Sequence, residues 1–310
     1  MPVAGETKTG MFAPLRERTF RTIWSASLLS NFGQLILGVG AAWEMKQMTG
    51  SPSMVALVQT AMMLPLMLVA LPAGALADMF DRRKIAMTGL GLSVLCSATL
   101  TSLAFLGLTT PWMLLTFCAL IGGGVALYSP AWQASISEQV EPAQLPSAVA
   151  LGTISYNVAR SFGPAVGGLI VLAAGSRTAF AINAACYLPL WTAFFLWQRK
   201  HAPSRLPPER IDRAIVSGAR YALHAPSIRK VLVRALAFGL ASASVAALGP
   251  LIASDLLGGN ASTFGLLLGA SGVGAVAGAL FVSPMREQFG TENSVRICAV
   301  IGGLALMAIG

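Results

Sequence analysis

The chain has 310 residues, 55% hydrophobic and only 11% charged, against roughly 25% charged residues in a soluble domain, so a water-soluble surface cannot be built from it. Its net charge of +9 would suit a nucleic-acid binder, but the basic residues alternate with apolar runs of membrane-spanning length, which sets that class aside. Two histidines, His201 and His224, and four cysteines without CxxC spacing, Cys96, Cys118, Cys186 and Cys298, argue against a metal site, a disulfide framework or an enzyme, and no cofactor is expected.

A membrane-crossing helix needs about 20 mostly apolar residues, because the bilayer interior offers no water to an unpaired backbone. Runs that meet this are predicted at 20–45, 53–77, 85–107, 111–133, 147–173, 178–198, 229–254 and 261–284, and a ninth begins near Arg296. The first is too long for a cleavable signal and reads as an uncleaved anchor.

The connections after spans 1, 3, 5 and 7 are short and carry only Lys46, Arg177 and Asp255 as notable charges. On the opposite side stand Arg16, Arg18 and Arg21, then Arg82, Arg83 and Lys84, then the basic residues from Arg199 to Lys230. All but Lys46, Arg177 and Arg160 of the 21 Lys and Arg residues fall on that side or at its edge, so the positive-inside rule makes it, and the N-terminus, cytoplasmic. Trp24, Trp43, Trp112, Trp132 and Trp197 lie near span ends, where an amphipathic ring suits the headgroup level.

Residues 199–228 change character to a polar stretch with Pro203, Pro207 and Pro208, followed by a short amphipathic segment carrying Ile211, Ile215, Ala219 and Ala222 on one face. Three units follow: residues 1–198 with six helices, the linker, and residues 229–310 with helices 7, 8 and part of 9. Ala73-Gly74-Ala75-Leu76 in span 2 and Ala277-Gly278-Ala279-Leu280 in span 8 hint at a repeat between the two membrane units.

After span 2 comes GALADMFDRRK, whose Gly74, Asp78, Arg83 and Lys84 resemble the signature between helices 2 and 3 of the major facilitator superfamily, although Met79 and Asp81 stand where a basic residue and a glycine are usual. LADMFDRR, PLRERTFRTIW, SNFG and TGSP are similar to the branch of siderophore and drug exporters that resembles the enterobactin exporter. The resemblance implies an all-α integral membrane protein of two six-helix halves, of which about eight and a half helices are present here, so the chain is expected to be C-terminally incomplete. It implies a conformational latch in Gly74, Asp78, Arg82, Arg83 and Lys84, with Gly74 letting helices approach closely.

ARSFGPAVGG in span 5 resembles the antiporter motif of proton-coupled exporters through Gly163, Pro164, Gly167 and Gly168, with Ala159 replacing a glycine. The arginine that such exporters often place three residues before a glycine in helix 4 is Ala119 here, ahead of Gly122. A multi-pass transporter of a bacterial inner membrane is therefore expected. It would act as a monomer among membrane lipids and export drug- or siderophore-like small molecules by alternating access, with protons as the coupling ion. A transporter of the same fold without a proton step, including a lipid-moving one, stays open, and a membrane enzyme or sensor is the remote alternative.

Arg160 is the sharpest single feature: a guanidinium in mid-span costs several kcal/mol unless it meets water or a partner. Tyr156 and Asn157, one turn away, could share its face and bind an anionic or catechol-like group, or the set could simply fasten helices. Asn31 and Gln34 in mid-span 1 need partners or a cavity, and Glu44 near the far end is the candidate coupling carboxylate.

Overall fold

A computed structural model describes residues 12–198 and 224–307, and the predicted amphipathic segment of the linker lies outside them. The helices are α1 (Arg18–Thr49), α2 (Pro52–Met79), α3 (Arg82–Phe105), α4 (Pro111–Ser135), α5 (Leu145–Leu196), α6 (Pro226–Leu251) and α7 (Ala261–Met307). α5 and α7 are each two helices that meet at a non-helical glycine, Gly175 (φ 78°) and Gly290 (φ 76°). Both glycines take the left-handed conformation that reverses the chain and that a side chain would resist. Counting the arms separately, the described residues hold the nine helical segments expected from the hydropathy pattern.

The boundaries follow local chemistry. α1 stops where Gly50 (φ 61°) returns its N–H to the Lys46 carbonyl, and α2 restarts two residues later on Pro52, a helix-first position that needs no N–H. Asp81 caps α3 by accepting from the Arg83 N–H at 2.9 Å, and Thr110 caps α4 ahead of Pro111. α6 ends in one π turn, Ile252–Leu256, just after Pro250. Four stretches, Pro52–Val69, Arg82–Phe105, Pro111–Glu138 and Pro142–Leu196, are long and apolar enough to cross a membrane. Large apolar side chains such as Leu95, Leu172 and Leu196 stand more than half exposed, as a lipid-facing surface requires.

Because every second connection returns the chain to the same side, the bundle has a basic end, where α1 starts and α3 follows α2, and a loop end at Gly50, Gly107, Gly175 and Gly258. Small residues set the spacing in between. A Cβ on Gly89 would fall 2.6 Å from the Gly124 carbonyl, holding α3 against α4, and one on Gly33 would fall 2.6 Å from Cys186 Cβ, holding α1 against the second arm of α5. Trp132, expected at the headgroup level, is instead 7% exposed and lies between Phe20 and Phe194 at ring-centroid distances of 6.5 and 6.2 Å.

Candidate functional site

Of the polar candidates, Asn31 and Tyr156 share one chamber in the basic half of the bundle. α1 and the first arm of α5 run in the same direction, held at one level by Asn31 Nδ2 donating to Ser155 Oγ at 3.4 Å and at a higher one by Leu35 against Gly163. Gln34 and Arg160 lie between those two contacts, hence at similar depth. At 1.5 Å per residue, Arg160 is about 22 Å along α5 from Leu145, near the middle of the arm.

Below this level opens a chamber of about 380 Å³. α1 contributes Ser27 and Asn31 to its wall, α4 contributes Tyr128, Ser129, Trp132 and Gln133, and α5 contributes Val149, Thr153 and Tyr156. Tyr156 is half exposed, and the α5 stripe 149–153–156 leads by one further turn to Arg160, which is exposed and pairs with no acidic side chain among the described residues. Asn157 is also exposed but is not part of this wall, and Gln34 is half-buried one turn above Asn31. Sequence reasoning missed the α4 residues. Their signal was present, since Tyr128/Trp132 and Ser129/Gln133 are two i,i+4 pairs on one helix.

The loop end holds a buried apolar cluster. Ile36 and Val39 of α1, Val171 and Ala179 of α5, Ala253 of the π turn and Phe264 of α7 form one buried apolar cluster, with Trp43 and Ile182 against it. Beside it the GPAVGG segment packs on two sides. Gly163 and Gly167 receive α1, while a Cβ on Gly265 of α7 would fall 2.5 Å from the Pro164 carbonyl oxygen and 2.9 Å from Gly168 Cα. One turn on, Gly269 meets Ala165 in the same way, at 3.2 Å. Glu44 is half-buried on α1, one turn beyond Gly40 and next to Trp43, over whose ring the Lys46 ammonium stands at 5.6 Å.

The GALADMFDRRK segment occupies the basic end. Arg82 Nη1 donates to the Ala134 carbonyl at 2.8 Å and to Glu138 at 3.0 Å, while Arg83 Nε donates to the Phe194 carbonyl at 2.9 Å and its Nη2 to that of Phe195. Each arginine thus places its charge on the C-terminal carbonyls of a different helix, α4 and α5, where the helix dipole favours a cation. Lys84 is exposed, and nothing lies within 4 Å of a Cβ added to Gly74, so the close approach expected there has no partner among the described residues. Arg83→Ala should destabilise the protein by about 2 kcal/mol, seen as a lower melting temperature that Arg83→Lys restores only in part, because one ammonium cannot copy the two-carbonyl fork.

α6 and α7 are also tied together near the basic end. Arg234 of α6 makes a two-pronged pair with Glu292 of α7, at 2.6 and 2.9 Å, and Arg296 stands 3.6 Å from the same carboxylate. Hydrogen bonding from Arg234, ahead of the charge of its neighbours, holds the Glu292 carboxyl below the ordinary carboxylate range.

An all-helical bundle with apolar, membrane-length helices, a buried apolar cluster at the loop end and a polar chamber below it fits a membrane transporter of the major facilitator type. The transmembrane secretion effector family matches residues 9–310, and the chain belongs to it. It is 23% identical over 290 residues to the staphyloferrin A transporter of Staphylococcus aureus, covering 92% of this chain and 72% of that protein. It is 26% identical over 294 residues to the multidrug efflux pump Tap of Mycolicibacterium fortuitum, covering 92% of this chain and 71% of the pump. Among solved structures, a bacterial homologue of the human lysosomal transporter Spinster, in an inward-facing and unoccupied conformation, superposes with a TM-score of 0.68 at 17% identity, over 89% of this chain. The chain spans 63% of that structure's length. The family and these relatives are transporters, not enzymes.

Proposed function

We propose that the protein exports drug- or siderophore-like small molecules across a bacterial inner membrane by alternating access, with proton antiport as the driving step and the N-terminus and basic end cytoplasmic. In this reading residues 1–198 and 229–310 belong to two rocking units joined by the 199–228 linker, and a monomer embedded in lipid is the working form. The observation that carries the reading is the pairing of a sealed loop end, built on Pro164, Gly168 and Gly265, with a polar chamber below it and Arg160 at mid-depth. Substrate would enter the chamber from the basic end, meet Asn31 and Tyr156, with Asn157 beside Tyr156 on α5, then one turn deeper Arg160 and Gln34, and leave when the units rock apart at the loop end. Glu44, half-buried beside that seal, is the candidate proton carrier. The relatives named for staphyloferrin A and for multidrug efflux support the direction and the class of cargo.

Transport without a proton step is the second reading, favoured by Ala119 in the helix-4 slot where the resemblance leads one to look for arginine. The two separate in cells stripped of their own pumps. Efflux of a siderophore or dye should collapse at least tenfold on adding a protonophore and should fall with Glu44→Gln. Efflux that survives the protonophore sinks proton coupling and leaves the second reading.

A further inference from the structure

Helix α4 has empty space on two sides. One side is the polar chamber already described. On the other, between α2 and α4, lies a cavity of about 420 Å³ whose wall includes Leu66, Ala77, Ala126, Pro130 and Ala134. The polar side chains in that second wall are Ser129 and Gln133, and both also belong to the wall of the polar chamber. They are joined to each other by a long hydrogen bond, Gln133 Nε2 to Ser129 Oγ at 3.4 Å, and Gln133 is exposed, so little holds this partition shut. Each volume falls in the range of roughly 300–1,000 Å³ that holds a small organic ligand. Their linings differ. The first has hydroxyls, amides and aromatic faces, and the second offers hydrocarbon and no charged side chain among the described residues of its wall.

We propose that the two cavities are one bipartite site for an amphiphile. Its hydroxylated or carboxylated aromatic head lies among Asn31, Tyr128, Trp132 and Tyr156. Its hydrocarbon tail passes Ser129 and Gln133 into the space between α2 and α4. This rests on the transport reading and narrows its cargo to molecules that join such a head to an apolar chain. Each methylene buried in the second cavity should tighten binding about fourfold until the cavity is filled.

The test uses the intact protein in lipid nanodiscs and a homologous series, methyl, butyl and octyl gallate, titrated calorimetrically with empty nanodiscs subtracted to remove partitioning into lipid. Two variants fill the tail cavity from opposite walls, Ala134→Leu on α4 and Leu66→Trp on α2, where both native side chains are half-buried and a larger group has room to enter. For the natural sequence, affinity should rise about 60-fold from methyl to butyl gallate and further again to octyl gallate until the cavity is filled. In both variants octyl gallate should weaken at least tenfold while methyl gallate stays within about twofold, which also shows that the head site remains folded. Affinity independent of chain length, equal weakening of methyl and octyl gallate in both variants, or no binding of any gallate would overturn the proposal. Because binding is read without transport, chain-length-dependent binding by a protein that exports nothing would support this site while removing the export reading.

Discussion

Gly265→Val should open the loop end and cut transport at least tenfold while leaving the amount of protein in the membrane close to normal. The reason is the nature of the atoms in the way. A Cβ at position 265 would fall 2.5 Å from the Pro164 carbonyl oxygen and 2.9 Å from Gly168 Cα, both backbone atoms that no rotamer change can move aside. Relief requires α7 to separate from α5, and separation at this level also withdraws Phe264 from its seat among Ile36, Val39 and Val171. Overpacking of this kind costs about 1–3 kcal/mol. Because the clash exists only when the loop end is closed, that cost falls on one state and shifts the closed-to-open ratio by roughly 5- to 150-fold. Labelling tests it directly: a cysteine introduced at Val171 in a cysteine-free background should react slowly with a membrane-impermeant maleimide, and much faster once Gly265→Val is added. Unchanged labelling together with unchanged transport would mean that this contact does not govern the seal.

The span count and order were legible because hydropathy over 20 residues is a coarse signal that a lipid environment enforces on every helix. The short connections were legible as gaps between apolar runs, and at Gly175 and Pro52 one residue type answers one backbone demand. The GALADMFDRRK cluster was only partly readable. Its residue types pointed to a cluster at a helix junction, but nothing in the spacing says that Arg82 and Arg83 divide between the ends of α4 and α5, since those carbonyls belong to residues 52 or more positions away. Trp132 shows the opposite failure. A tryptophan near a span end obeys two rules, headgroup preference and aromatic packing, and the stacked Phe20 that decides between them comes from another helix. On α1 and α5 the chamber wall includes Asn31 and Tyr156, which stand out in the sequence against apolar neighbours, while Gln34, Asn157 and Arg160 lie outside that wall. On α4 its residues, Tyr128 and Trp132 among them, are types that a core also uses.

Arg160→Ala should lower transport of carboxylate-bearing compounds by about 10- to 100-fold and of neutral ones by less than about threefold, with the melting temperature unchanged. A charge-assisted hydrogen bond to a bound anion contributes about 1.5–3 kcal/mol, which sets the first figure. The last part of the expectation separates cargo binding from helix fastening. A guanidinium kept in mid-span for structure would be held by a carboxylate or by carbonyls, as Arg82 and Arg83 are, and its loss would leave those groups stranded. Arg160 is exposed, ion-pairs with nothing among the described residues, and continues the stripe of Thr153 and Tyr156 that walls the chamber, so its removal strands nothing in the empty state. A lysine there keeps the charge but loses the flat two-pronged fork, and should recover transport of carboxylates only in part. Equal losses for charged and neutral compounds, or a lower melting temperature with transport intact, would return Arg160 to the role of a fastener and leave the chamber to its aromatic and amide groups.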